Sequence, residues 1–149
     1  MTKIEEQIAE FTKKILELIG IDGEVKISKT EKSILVEINS NSNGLLIGKQ
    51  GQNLQAFERI LLVLFYQKLS ANQTLTVDVG GFRQKRTEFI QNLAESSIQE
   101  VLTTKLPKTL SGLTAAERKI VHLEVAKHKE LASESQGAGV GRVLIIKYR

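Results

Sequence analysis

The stretch "NGLLIGKQGQNL", residues 43–54, places one glycine on each side of Lys49 and Gln50. Neither Gly48 nor Gly51 carries a Cβ, so the backbone here can turn tightly and lie close to the backbone of another molecule. A strongly helical run follows Gly51, and the N–H groups and positive dipole end of a helix N-terminus favour phosphate. Lys49 adds a cation. These four residues therefore suit contact with a sugar–phosphate chain.

Two other phosphate-binding loops do not fit the glycines of this sequence. A Walker A loop has four residues between its glycines, followed by Lys and Ser or Thr. Gly44 and Gly48 have three residues between them, and Gln50 follows the lysine. The dinucleotide pattern needs a helix after its glycines, whereas the cluster at 137–141 leads into a strand-like run. The glycines therefore indicate neither a nucleoside-triphosphate site nor a dinucleotide site.

Two further groups of residues could hold anions. Arg83 and Arg86 fall in the first turn of a predicted helix, where the dipole opposes cations by roughly 0.3 kcal/mol or more each. Asp78 and Glu88 could neutralise them, or a bound phosphate could contact both arginines, and the sequence leaves these two explanations open. Further on, "RKIVH" (118–122) puts Arg and His four apart on one helix face, where both can donate to phosphate oxygens.

The composition argues against metal and disulfide chemistry. The 149 residues are 41% hydrophobic and 26% charged, and they include no cysteine. His122 and His128 are six apart, the wrong spacing for a helical metal pair. The longest apolar run, Ile60–Tyr66, is too short to cross a bilayer. We therefore expect a cytoplasmic protein with no catalytic residues, no metal, no cofactor and no membrane partner.

The positive charge lies in the second half of the chain. Residues 1–80 hold 9 Lys and Arg against 10 Asp and Glu, whereas residues 81–149 hold 12 against 7. A merely soluble basic surface would explain this asymmetry, and so would an anionic partner, with nucleic acid the first candidate.

Apolar periodicity, capping patterns and glycines predict the elements that position these residues. In the first part they are a helix at 3–19, strands at 24–27 and 33–38, a helical turn at 45–47, a helix at 52–69 and a strand at 74–79. In the second part they are a helix at 82–104, an edge strand at 108–111, a helix from a Thr114–Glu117 capping box to about 128, and a terminal hairpin. Core candidates in the helix at 82–104 are Phe89, Ile90, Leu93, Ile98, Val101 and Leu102.

The helix at 52–69 is apolar nearly all round in its second half because of Ile60, Leu62 and Val63. Such a helix is expected to be covered on more than one side. Burial between a sheet and the first helix is the favoured explanation, and a subunit interface is the alternative.

A Gly-x-x-Gly loop between two helical pieces of a strand–helix–helix–strand unit resembles the KH domain, whose loop clamps about four nucleotides of single-stranded nucleic acid. The extra helix and strand ahead of that core resemble the type II arrangement, and the resemblance covers residues 2–80. It implies that Gly48, Lys49, Gln50 and Gly51 hold a nucleic-acid backbone. It also implies that Ile47 and Leu54 line the apolar side of the groove.

"DVGGFRQKRTEFIQNLAESSIQEVL" and "ERKIVHLEVAKHKELASESQGAGVGRVLIIK" resemble the Arg-x-x-x-His single-stranded nucleic-acid-binding domain. A type II KH domain followed by this domain resembles the bacterial Jag/KhpB family. The resemblance implies that Arg118 and His122 are the signature pair and that Arg142 joins them from the hairpin. Arg83 and Arg86 would add further phosphate contacts.

The resulting expectation is an α+β chain with a type II KH-like domain at 1–80, built on a three-stranded sheet, and a small α+β Arg-x-x-x-His domain at 81–149. It would bind single-stranded RNA, or single-stranded DNA, without catalysis, and would act as an RNA regulator or RNA chaperone. The alternative is a protein-interaction adaptor whose KH half dimerises with a second copy or with another KH subunit.

Overall fold

The computed structural model describes all 149 residues, which form two compact units, Met1–Arg83 and Gln84–Arg149. Each unit combines helices with a three-stranded sheet, so the predicted α+β class is confirmed. None of the helices combines the length and the apolar character that crossing a bilayer requires.

The first unit has the order of elements that the sequence predicts. Strand β1 pairs antiparallel with β2, and β2 pairs parallel with β3, so the chain crosses over between β2 and β3 through two helices. The elements are α1 (Lys3–Leu18), β1 (Gly23–Lys29), β2 (Ser33–Ser40), α2 (Asn43–Ile47), α3 (Gln52–Phe65) and β3 (Thr74–Val79).

The core of this unit lies between one face of the sheet and the helices. Alternate residues of β2 and β3 are buried, as period-2 side chains on a half-covered sheet should be. Helix α1 begins with a capping box in which the Thr2 backbone N–H donates to Glu5 Oε2 at 2.8 Å. The buried residues that form the core include Ile8, Leu16, Ile34, Val36, Ile38, Leu54, Leu61, Phe65, Leu75, Val77 and Val79.

The prediction that the helix after the glycine loop is covered on more than one side is wrong. Ile60, Val63 and Leu64 are 47%, 69% and 49% exposed, and Tyr66 in the turn that follows is 74% exposed. The fully buried residues of the helix are Leu54, Leu61 and Phe65, which form one stripe in the core of the unit. Apolar character showed how much of the helix surface is hydrophobic but not how much of it is covered.

The second unit is built around a hairpin. Strand β6 lies in the centre of the sheet, antiparallel to β4 on one side and to β5 on the other, so the predicted edge strand and hairpin are confirmed. Helix α5 begins as predicted at the Thr114 capping box but ends earlier than predicted. The elements are α4 (Phe82–Thr104), β4 (Lys108–Leu110), α5 (Ala115–Val125), β5 (Leu131–Gln136) and β6 (Val143–Tyr148).

One predicted core residue of α4 is exposed. The buried face of the helix is set by Ile90, Ala94, Ile98 and Val101, whose spacings of three and four residues define a single stripe. Phe89 lies one position beside that stripe and is 54% exposed. The guanidinium of Arg86 lies over its ring, 5.3 Å from the centroid, and so covers part of the aromatic surface.

Candidate nucleic-acid interface

The glycine loop is a tight left-handed turn between α2 and α3. Gly48 has a φ of 69°, Gln50 a φ of 55° and Gly51 a φ of 81°. The residues between α2 and α3 form a single helical turn, closed by a hydrogen bond from Gly51 N–H to Gly48 O at 3.3 Å. A positive φ is readily adopted by glycine but strained for most other residues. Three such residues within four positions explain why the turn needs its two glycines.

Neighbouring side chains also require glycine at both ends of the loop. An ideal Cβ on Gly48 would lie 2.5 Å from Asn53 Cγ, and one on Gly51 would lie 2.9 Å from Phe82 Cε1. Both separations are far below van der Waals contact. Asn53 Nδ2 also donates to Leu45 O at 2.8 Å, which joins α2 to α3 across the loop.

The sequence prediction did not include Asn53 as a supporting residue. Its one local signal is a short polar side chain in the first helical turn after the loop.

The loop residues differ in what they offer a ligand. Lys49 and Gln50 lie at the tip of the turn, between the two glycines. Of the two apolar residues expected to line a groove, Leu54 is only 2% exposed and Ile47 packs against the core. Leu54 is therefore a core residue, and the expectation that it contacts a ligand is wrong.

Arg83 is tied to the first unit by three interactions. Its Nε donates to Val77 O at 3.0 Å, its guanidinium pairs with Glu58, and its backbone N–H donates to Asp78 Oδ1 at 3.2 Å. Asp78 thus meets this helix start through the backbone, while the side-chain partner is Glu58, which the sequence did not suggest. Glu88 accepts instead from Gln84 Nε2 at 3.0 Å.

Arg86 is held by a carboxylate that also caps α5. Its Nε and Nη2 donate to the two carboxylate oxygens of Glu117 at 2.7 and 3.3 Å, a forked arrangement. The same carboxylate accepts from Thr114 N–H at 2.9 Å, and Glu117 N–H donates to Thr114 Oγ1 at 3.2 Å. The ion pair therefore joins α4 to the start of α5.

The environment of Glu117 favours its charged form. Burial raises the pKa of this carboxyl group, but the hydrogen bonds from Arg86 and Thr114 and the charge of Arg86 outweigh burial, so the pKa lies below its usual value. With only 9% of its surface exposed, Glu117 depends on these partners to stay ionised.

The structure brings the predicted Arg118, His122 and Arg142 into one groove of about 450 Å³. Arg118 Nη1 donates to Leu113 O at 2.7 Å, and Arg142 Nη1 donates to Gly137 O at 3.0 Å. Each guanidinium is thus fixed through one nitrogen, and a guanidinium has five N–H donors in all. The groove is lined by Ala115, Arg118, Lys119, His122, Leu123, Ser135 and Arg142, with no acidic residue among them.

His122 is oriented by two serines of β5. Its Nδ1 lies 2.7 Å from Ser133 Oγ and its Nε2 lies 2.9 Å from Ser135 Oγ. A serine hydroxyl can donate or accept, so both ring nitrogens are satisfied whichever of them carries the proton. The ring is therefore held in place beside Arg118 on α5. This positively charged groove can bind an anion with fixed geometry.

Comparison with known proteins agrees with this geometry. Residues 88–148 match the family model of the Arg-x-x-x-His domain, which is named for an arginine and a histidine with three residues between them. The chain is 31% identical over 137 residues to the RNA-binding protein KhpB of Bacillus subtilis (strain 168), covering 91% of the chain and 66% of that relative. It is 25% identical over 148 residues to the RNA-binding protein KhpB of Clostridium symbiosum, covering 98% of the chain and 67% of that relative. These matches support the KhpB/Jag family to which the sequence motifs pointed.

The chain is shorter than these relatives. It spans about two thirds of the Bacillus and Clostridium proteins, and 42% of the RNA-binding protein KhpB of Lactiplantibacillus plantarum, to which it is 24% identical over 135 residues. The match to the Arg-x-x-x-His domain lies in the second unit. The KH-like assignment of the first unit stays a prediction.

Proposed function

We propose that the chain is a non-catalytic, cytoplasmic single-stranded RNA-binding protein that regulates RNA. The observation that carries the proposal is the groove in which Arg118, His122 and Arg142 converge without an acidic neighbour. The match to the Arg-x-x-x-His domain and the RNA-binding names of the relatives agree with it. The same groove could take single-stranded DNA, which presents the same phosphates.

In the second unit, the groove binds phosphate. Arg118 and Arg142 donate in a forked geometry that matches phosphate oxygens, and Lys119 adds a third positive charge. The basic composition of residues 81–149 raises the local concentration of a polyanion around the groove.

In the first unit, the KH-like assignment gives the glycine loop the second contact. With no Cβ at Gly48 or Gly51, the peptide can lie against a sugar–phosphate backbone, and Lys49 meets a phosphate from the tip of the turn. Two modest sites on one strand raise the overall affinity through effective concentration. The affinity falls steeply as salt rises.

Arg83 and Arg86 have a secondary place in this proposal. Both already pair with carboxylates, Glu58 and Glu117, which accounts for the cations at the start of α4 without a ligand. Arg83 has 45% of its side chain exposed and Arg86 has 24%, so any phosphate contact would use the outer side of each guanidinium. We expect Arg83→Ala or Arg86→Ala to affect binding less than Arg118→Ala.

Replacing Arg118 or His122 by alanine tests the proposal. We expect each change to weaken binding of single-stranded RNA about tenfold, with Arg118→Ala lowering the slope of log affinity against log salt by about one. Both side chains lie outside the core, so the melting temperature should stay near that of the wild type. Fluorescence anisotropy at several salt concentrations and thermal melting provide the two measurements.

Arg149→Ala is the matched control. Arg149 belongs to the same unit and also donates to one backbone carbonyl, Leu131 O at 2.9 Å, but it does not line the groove. Its replacement removes the same charge and should change the affinity much less than Arg118→Ala. Equal losses for the two variants would reduce the groove to a non-specific basic surface, and unchanged affinity for Arg118→Ala and His122→Ala would refute the proposal.

The exposed apolar residues of α3 favour a second candidate function, a protein-interaction adaptor. In this alternative the KH-like unit pairs with a second copy or with another KH subunit through Ile60, Val63 and Leu64, since exposed apolar patches often mark interfaces. We expect Val63→Asp to convert a dimer to a monomer in light scattering while the protein still binds RNA. A wild type that is monomeric at all concentrations would exclude the homodimer.

A further inference from the structure

Helix α5 presents two parallel rows of side chains to the groove. Arg118 and His122 are four residues apart and form one row, and Ala115, Lys119 and Leu123 repeat at the same spacing and form the next. The first row, together with Ser135 and Arg142, is polar. The second row is apolar at both ends, so the groove has a phosphate-binding side and an apolar edge.

Leu123 is the large apolar residue of that edge. It is 58% exposed, whereas Val121 and Val125 on the inner face of α5 are buried. Leu123 is not one of the partly buried residues that pack against the core of this unit, which are Leu93, Leu102 and Ile120. Its side chain therefore adds little to the folded unit, and it leaves an apolar surface in water beside three cations.

We propose that Leu123 contacts the face of a nucleobase whose phosphate is held by Arg118, His122 and Arg142. The inference rests on the proposed function of the same groove. A nucleotide carries its phosphate and its flat, largely apolar base on opposite sides of one sugar, and the two rows of α5 present matching chemistry side by side. Covering Leu123 with a base face removes apolar surface from water on both molecules.

This contact makes the groove sensitive to the presence of a base but not to its identity. A leucine side chain has no hydrogen-bond donor or acceptor with which to read a base edge, and every base presents a face that an apolar side chain can cover. The base must also be unstacked to expose that face. The phosphate contacts hold the strand, and Leu123 adds a preference for strands that carry accessible bases.

The test compares an oligouridylate with an abasic oligomer of equal length. Binding is measured by fluorescence anisotropy on the full chain, in the wild-type loop and with Lys49→Asp and Gln50→Asp, so that the first unit does not mask the second. We expect Leu123→Ala to weaken binding of the oligouridylate about five- to tenfold and to leave the abasic oligomer unchanged. Leu123→Phe, which offers a larger flat surface, should strengthen binding of the oligouridylate.

Two control variants separate the possible results. Leu106→Ala removes a comparably exposed leucine of the same unit, 67% exposed, from outside the groove, and should change neither affinity. Arg118→Ala should weaken both oligomers alike because both carry phosphates. Equal loss on both oligomers for Leu123→Ala, or no loss on either, overturns the base contact. Unchanged binding of both oligomers by Arg118→Ala refutes the proposed function itself, whatever Leu123→Ala does.

Discussion

Changing Lys49 and Gln50 together to aspartate is expected to lower the affinity for single-stranded RNA about a hundredfold or more. The double change replaces one cation and one neutral amide with two carboxylates at the tip of the glycine loop. On the proposed function, a phosphate lies against this turn, so repulsion replaces a charge-assisted hydrogen bond. Anisotropy titrations at low and moderate salt measure the loss.

The fold should tolerate this double change. Gln50 has a φ of 55°, and aspartate is among the non-glycine residues that adopt this region most readily. Lys49 and Gln50 both lie outside the core of the first unit. The melting temperature should therefore change little, which separates lost binding from lost structure.

Lys13→Glu is the control for charge alone. Lys13 is exposed on α1, and its reversal places a carboxylate on the same unit but on a helix that does not flank the glycine loop. It should weaken binding several-fold at most. An NMR titration adds a direct criterion: if the amides of residues 48–51 do not shift with RNA while those of the second unit do, the first unit has another role.

Glu117→Ala is expected to destabilise the second unit by about 2–3 kcal/mol near neutral pH. The change removes the fork to Arg86 and the cap on Thr114 together, and leaves a largely buried guanidinium without its carboxylate. Urea unfolding followed by amide signals of α5 reports on this unit. Glu117→Gln, which keeps a capping side chain but loses the charge, should cost less than Glu117→Ala.

The effect of Glu117→Ala should depend on pH in a defined direction. Because the pKa of Glu117 in the folded protein lies below its usual value, the ionised group stabilises the fold fully above its unfolded pKa. That stabilisation is lost as the pH falls through the folded pKa. The difference in unfolding free energy between wild type and variant should therefore be largest near neutral pH and shrink in acid. A difference that does not change with pH would show that the ion pair is not its source.

Glu117→Gln also tests whether Arg86 binds RNA. If Arg86 serves only to anchor α5, the loss of its ionic partner should leave RNA affinity unchanged at temperatures where the unit is folded. If Arg86 binds phosphate, releasing it from Glu117 should strengthen binding, and Arg86→Ala should lower the salt dependence.

Local patterns in the sequence determined most of the secondary structure. Capping boxes at Thr2 and Thr114 and apolar spacing placed the helices, because these signals act between residues a few positions apart. The two glycines of the loop were recognisable for the same reason, since they supply positive φ angles within four residues. The shared face of Arg118 and His122 followed from helical spacing alone.

The tertiary structure decided which distant groups meet. Arg83 pairs with Glu58 and Arg86 with Glu117, partners that lie 25 and 31 positions away. Arg142 lines the groove with Arg118 because the closing hairpin brings it there. The partners expected from the sequence for the start of α4 were Asp78 and Glu88, near neighbours, because separation along the chain was the only distance available.

Burial was the other property that only the packed structure settled. Periodicity shows which residues of a helix share a face, but coverage of that face depends on which elements pack there. Phe89 and the apolar residues of α3 are exposed although their composition suggested a core, and Leu123 faces the groove although its neighbours Val121 and Val125 are buried. The sequence by itself determined the elements and the chemistry each one carries. Their packing, which sets solvent access and the partners of every charge, was decided by contacts between residues far apart in the chain.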